Sequence, residues 1–126
     1  MKYIIRLSFL MLMTLLVAAC SSASSQLISP DNYVSQFRDS GADHILIDVR
    51  TAEEFAEGHI AGAVNIPVDY IERRLAEIPT DIPVVVYCRS GNRSARAATT
   101  LVENNYAEVY DLGGIASWVS AGYPVE

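Results

Sequence analysis

The chain has 126 residues, 51% of them hydrophobic, and a formal net charge of −6 at pH 7, which gives room for one domain with a modest core and none for a second. Beyond Cys20 it keeps seven arginines, no lysine and all fifteen acidic residues, a formal balance of about −8; nucleic acid is thereby excluded as an expected partner, and any positive field must be local and suited to a small anion. Two cysteines, Cys20 and Cys88, form no CxxC pair and support neither a dithiol motif, a disulfide framework nor a metal site. No metal or organic cofactor is expected.

Residues 1–20 read MKYIIRLSFLMLMTLLVAAC, with Lys2 and Arg6 near the start, an apolar run from Leu7 to Val17, and small residues before Cys20. The run is short for a bilayer-spanning helix of roughly 20 residues and matches a signal-peptide core. The ending Val17-Ala18-Ala19-Cys20 resembles a bacterial lipobox. That resemblance implies a signal peptide over 1–19, cleavage before Cys20 and lipid on Cys20, so that the protein is exported and held on a membrane by its anchor. Ser21 in place of an Asp mildly favours the outer membrane, facing the periplasm; the alternative is a soluble periplasmic protein. Cys20 and the Ser-rich stretch to Ser25 then form a tether, and the domain occupies 26–126.

Gln26–Ile28 reads as a short opening strand. Ser29-Pro30 is a helix start, with Ser29 as N-cap and Pro30 in the first turn, and Tyr33, Val34 and Phe37 carry helical spacing toward Ser40, with Gly41 as the stop. His44–Arg50 is an apolar run ending in charge, the profile of a buried strand, with Asp48 and Arg50 at its far end. Thr51 and Glu54 fit a capping box for a short helix to about Glu57. The glycine-broken stretch that follows leads to a brief strand at Val64–Ile66, and His59 within it reads as a local hydrogen-bonding residue rather than a general base. Asp69–Ile78 has the apolar spacing of an amphipathic helix, with Arg73 and Arg74 mainly on the solvent side.

Ile82–Tyr87 is β-branched enough for a buried parallel strand, and the segment after Ser94 reads as a helix to about Asn105. Between them lies Cys88-Arg89-Ser90-Gly91-Asn92-Arg93-Ser94. Successive backbone N–H groups in such a turn converge on an anion, and the following helix adds its positive end. A thiolate is the anion already present, so this setting is expected to lower the Cys88 thiol below its ordinary value and make it a nucleophile. Arg89 and Arg93 add two full charges. Glu108–Leu112 reads as the last strand, Gly113-Gly114 as a tight turn, and Ile115–Ala121 as a final helix with Trp118 inward. The alternation implies an α/β domain with a mostly parallel sheet and helices on both faces. Ligands in such sheets bind beyond the strand C-termini, which puts Cys88 at the site with Asp48 and Arg50 as supporting residues.

Three blocks resemble the single-domain rhodanese (thiosulfate sulfurtransferase) family. They are Leu46–Arg50 with Glu54-Phe55 and Gly58–Pro67; Val86–Ser94; and Leu112-Gly113-Gly114 with Trp118 and Gly122-Tyr123-Pro124. The resemblance implies a small rhodanese-like α/β fold in which Cys88 carries a persulfide. Sulfur would arrive from thiosulfate or another sulfane-sulfur donor and leave to cyanide, a small thiol or a protein thiol. Arg89 and Arg93 would draw in the dianion and steady departing sulfite, while the backbone of Ser90, Gly91, Asn92 and Ser94 completes the cradle. Asp48 would order the loop and Arg50 would form a structural ion pair.

Two other readings compete with this one. A cysteine phosphatase or arsenate reductase would carry an arginine six positions after the cysteine; here that position is Ser94, and the shorter loop suits a persulfide sulfur better than a phosphate. A non-catalytic module or slow sulfur carrier is the other, and Cys88 flanked by two arginines speaks against an inert module.

Overall fold

A computed structural model describes residues 22–126; the signal peptide and lipidated Cys20 expected from the sequence lie outside the described residues. Five strands, β1 (Gln26–Leu27), β2 (Ile45–Asp48), β3 (Val64–Asn65), β4 (Val84–Cys88) and β5 (Val109–Gly114), form one sheet in the order β1-β5-β4-β2-β3. Every pairing is parallel. Strand β4 is central and buried along its whole length, as its unbroken Val-Val-Val-Tyr-Cys run requires, because both faces of a parallel sheet are covered.

The two-residue period of the strands divides the core. Ile47, Val84, Val86, Cys88 and Val109 point to a cluster closed by Ala97, Ala98 and Leu101 of helix α3 (Asn92–Glu103). Leu46, Val85, Tyr87 and Leu112 point the other way. There they meet Tyr33 and Phe37 from the first helical segment and Trp118 of helix α4 (Ile115–Ser120). The small residues of α3 let it lie close on the sheet.

Helix α1 (Pro30–Tyr33) is capped by Ser29 Oγ, which accepts from the Asn32 amide at 3.2 Å. It widens into π geometry over Val34–Arg38, where Asp39 N–H reaches the Val34 carbonyl at 2.8 Å. Helix α2 (Ala52–Glu57) has the expected capping box between Thr51 and Glu54. The amphipathic stretch at 69–78 is not one α-helix. It forms two 3-10 segments, Val68–Tyr70 and Glu72–Glu77, with a kink at Arg74 (φ −116°, ψ 20°), and still buries Ile71 and Ile78. An unbroken 3-10 helix would turn Ile78 a third of a turn away from Ile71, and the kink at Arg74 re-aims the segment so that both side chains are buried.

Gly113-Gly114 differs as well. The pair continues β5 instead of turning: the register runs Val86↔Asp111, then Tyr87↔Gly113, leaving Leu112 as a bulge. Gly113 sits at φ +80°, and Asp111 Oδ1 accepts from its amide at 2.9 Å. The bulge carries Gly114 alongside Cys88.

Candidate active site

Cys88 closes β4, and the chain needs only Arg89-Ser90-Gly91 to reach α3. Gly91 is the N-cap residue in left-handed geometry (φ +108°, ψ −18°), a conformation that strains any residue with a Cβ. Helix α3 thus begins at Asn92, three residues earlier than its Ala-rich body suggests, and Asn92, Arg93 and Ser94 form its first turn. No side chain caps that end. Its free N–H groups are left facing the turn in which the sulfur sits.

Gly91 N–H donates to Cys88 Sγ at 3.0 Å, and Ser94 Oγ lies 3.4 Å from it. Burial pushes the Cys88 thiol up, but the Ser94 hydroxyl and the amides of Ser94, Gly91 and Ser90 outweigh it and hold the thiol below its ordinary value. The Ser94 hydroxyl has one proton and two acceptors. It donates to the Gly91 carbonyl at 3.0 Å while accepting from the protonated thiol; ionisation of Cys88 removes that donor and gives the hydroxyl a stronger acceptor in the thiolate.

Strand β2 ends beside β4, with Asp48 paired to Tyr87 in the register. Asp48 is fully buried, and its carboxylate holds Arg50 Nε at 3.0 Å, Arg50 Nη2 at 2.6 Å and the Arg50 amide at 2.9 Å. Arg50 Nη2 also donates to the Gly58 carbonyl at 2.7 Å. Asn65 Nδ2 donates to the Asp48 and Arg50 carbonyls, each at 3.0 Å, so β3 fixes the same corner. Asp48 and Arg50 therefore bind each other and brace the strand end, and Asp48 makes no hydrogen bond to the cysteine loop.

The two loop arginines part company. Arg93 Nη1 and Nη2 bind both oxygens of Glu54 at 2.7 and 2.9 Å. Arg93, with further support from Thr51, holds the Glu54 carboxyl down to about 2. Arg89 has no ion-pair partner among the described residues. His59 lies stacked on Phe55 at 3.8 Å between centroids, its Nδ1 at 3.0 Å from the Phe55 carbonyl, the local role its setting suggested.

A cleft of about 510 Å³ opens beside the loop. Its charged lining is Arg50, Glu54, Glu57 and Arg89; its apolar lining is Ile115, Ala116 and Val119 from α4 and Val125 from the C-terminal tail. Backbone bonds between His59 and Glu126, at 2.9 Å in each direction, pin that tail next to Gly58. The sequence reading missed four participants. Glu54 registers there as a capping residue and as part of the first block of the resemblance, with no expected role at the site, and the apolar Val119, one residue beyond the inward Trp118, is the sole hint of the α4 lining. Gly114 registers there only as a turn residue and a member of the third block, and Val125 leaves no local signal. Gly114 matters because a Cβ on it would fall 2.4 Å from the Arg89 carbonyl oxygen and 2.9 Å from Ser90 Cα. Among the described residues no cluster of His, Cys, Asp or Glu is placed to hold a metal ion.

Comparison with known proteins agrees with this geometry. The family profile described as a rhodanese-like domain matches residues 29–121. A protein named sulfurtransferase from Allochromatium vinosum is 44% identical over 84 residues, covering 66% of this chain and 78% of its own. Thiosulfate sulfurtransferase GlpE of Pseudomonas aeruginosa is 36% identical over 106 residues, 83% of this chain and 93% of that one. Among solved structures, a rhodanese-related protein from Thermoplasma volcanium superposes with a TM-score of 0.70 at 32% identity, covering 80% of this chain and 97% of that one.

Proposed function

The chain belongs to the rhodanese-like domain family, and from that premise we propose that it is a sulfurtransferase that carries sulfane sulfur on Cys88. The Cys88 thiolate attacks the outer sulfur of a donor such as thiosulfate. The S–S bond breaks, its electron pair leaves with sulfite, and Cys88 keeps a persulfide. An acceptor, cyanide or a thiol, then attacks the outer sulfur and returns the thiolate. No general base is needed, since the loop's donors favour the thiolate and the leaving group is a stable anion.

The observation that carries this reading is the thiol itself: a cysteine at a strand end, with Gly91 N–H at 3.0 Å from Sγ and an uncapped helix start beyond it. Those donors serve a thiolate, and equally the terminal charge of a persulfide. Arg89, without an ion-pair partner among the described residues and lining the cleft, is the cation available to a donor's oxyanion. A phosphatase would need a guanidinium where Ser94 stands, fully buried against the sulfur.

The test is thiocyanate formation from thiosulfate and cyanide by the full chain, beside a Cys88→Ala variant and a generic phosphatase substrate. Turnover absent from the variant, without phosphate release, supports the reading. Failure of wild-type Cys88 to take up sulfur from any sulfane donor overturns it.

For placement, we propose export with a lipid anchor on Cys20 in the outer membrane. Labelling with a fatty-acid analogue should mark the wild type and not Cys20→Ser; equal labelling of both would refute the anchor.

A further inference from the structure

The charges around the cleft are mostly spoken for. Arg50 is matched by the buried Asp48 carboxylate and Arg93 by Glu54, both through hydrogen-bonded contacts of 2.6–3.0 Å. Arg89 is the one cation lining the cleft that lacks a carboxylate partner among the described residues, and Glu57, without an ion pair, lines the same cleft. With an ionised Cys88 the site presents little net positive charge to a dianion. It does present apolar surface. Val119 and Val125 are 54% and 43% exposed, and both line the cleft with Ile115 and Ala116. Exposed valines on a chain this acidic leave apolar area for a ligand to cover.

Resting on the sulfurtransferase reading, we propose that the cleft selects an organic sulfane-sulfur donor with one negative charge and an apolar body, in preference to inorganic thiosulfate. The single charge meets Arg89 and the apolar body covers Val119 and Val125. The chemistry balances without another reactant. With an alkanethiosulfonate, R–SO2–S⁻, the Cys88 thiolate bonds to the terminal sulfur, the S–S bond breaks, and the sulfinate R–SO2⁻ departs with the electron pair, leaving the Cys88 persulfide anion. Two negative charges enter the step and two leave it.

An alkyl series isolates the apolar contribution, because the reacting group stays the same while the body grows. The full chain is assayed with methane-, ethane-, propane- and butanethiosulfonate and with thiosulfate, following kcat/KM and, by intact mass, sulfur uptake on Cys88. Efficiency should rise along the series by up to about fourfold per methylene that becomes buried, and butanethiosulfonate should exceed thiosulfate. Val119→Ser should flatten the rise; its half-exposed side chain makes the substitution mild for folding. A flat or falling series with every donor loading Cys88, a rise unchanged in Val119→Ser, or thiosulfate outperforming butanethiosulfonate overturns the selectivity. Sulfur uptake from none of the donors overturns the sulfurtransferase reading instead, and the selectivity with it.

Discussion

Replacing Gly114 with Ala tests whether α4 and the cysteine loop are set by direct backbone contact. Gly114 has ordinary extended angles, φ −96° and ψ 143°, so the new methyl brings no conformational strain. It brings a collision: the Cβ would stand 2.4 Å from the Arg89 carbonyl oxygen and 3.0 Å from the carbonyl carbon. Cβ contacts under 3.0 Å are essentially never seen, so the Arg89–Ser90 backbone has to retreat by about 0.6 Å. Overpacking of this kind costs about 1–3 kcal/mol. The larger effect falls on the chemistry, since the displaced peptides lead directly to the Gly91 amide that binds Sγ. A misplacement approaching 1 Å costs on the order of 100-fold, so a loss of roughly 10–100-fold in single-turnover sulfur uptake is expected, with a raised thiol pKa from pH-dependent alkylation. Gly113→Ala is the control. Its Cβ would meet nothing within 4 Å, and only its φ of +80° is strained, at about 1–2 kcal/mol. Equal rates and equal thiol pKa in Gly114→Ala and wild type would show that α4 yields and that the loop is not held by this contact.

Ser94→Ala removes the hydroxyl 3.4 Å from Sγ; loss of a hydrogen bond to a charged group, about 1.5–3 kcal/mol, should raise the thiol pKa by about 1–2 units in an alkylation profile, and an unchanged profile would mean that the amides alone hold the thiolate. Glu54, held at about 2 against an ordinary 4.5, stabilises the fold fully above pH 4.5 and loses that contribution as pH falls through 2. Urea unfolding should therefore show Glu54→Gln weaker than wild type by about 1–2 kcal/mol at neutral pH, with the gap closing below pH 4.5; a gap constant with pH would refute the pairing. Asp48→Asn leaves the Arg50 guanidinium, 7% exposed, without its carboxylate; a loss of about 3–5 kcal/mol is expected in the same assay, and a change under about 1 kcal/mol would show that the Gly58 carbonyl suffices.

What could be read from the sequence was what short-range chemistry decides. The β4 run, the Thr51–Glu54 capping box, the Ser29 cap and inward Trp118 each declare themselves within a few residues, and the parallel sheet follows from their alternation. The Cys88 turn was legible for the same reason, because strand, short loop and helix are consecutive. Relations across the fold were not. Arg93 carries the same charge in the sequence as Arg89, and only the fold, which brings Glu54 from 39 residues away to within 2.7 Å, gives it a partner. Gly113-Gly114 has the composition of a turn, yet pairing with β4 holds it in the strand as a bulge. The stretch at 69–78 has α-helical spacing, but its seven-residue step from Ile71 to Ile78 is met by two 3-10 segments re-aimed at the Arg74 kink, a break that periodicity alone does not reveal.

The strand order also sets a timetable. In a chain that emerges N-terminus first, β2, β3 and β4 can associate early, whereas β5 is an interior strand that enters between β1, where Gln26 pairs with Tyr110, and β4, where Cys88 pairs with Gly114. The earliest strand waits for the latest. Until residue 114 is available, β4 has an open edge and the Arg89 peptide lacks its backstop. A nascent chain stalled or truncated before β5 would carry the cysteine without the surface that shapes its loop, so the cysteine loop would take its working shape only once synthesis has delivered nearly the whole domain.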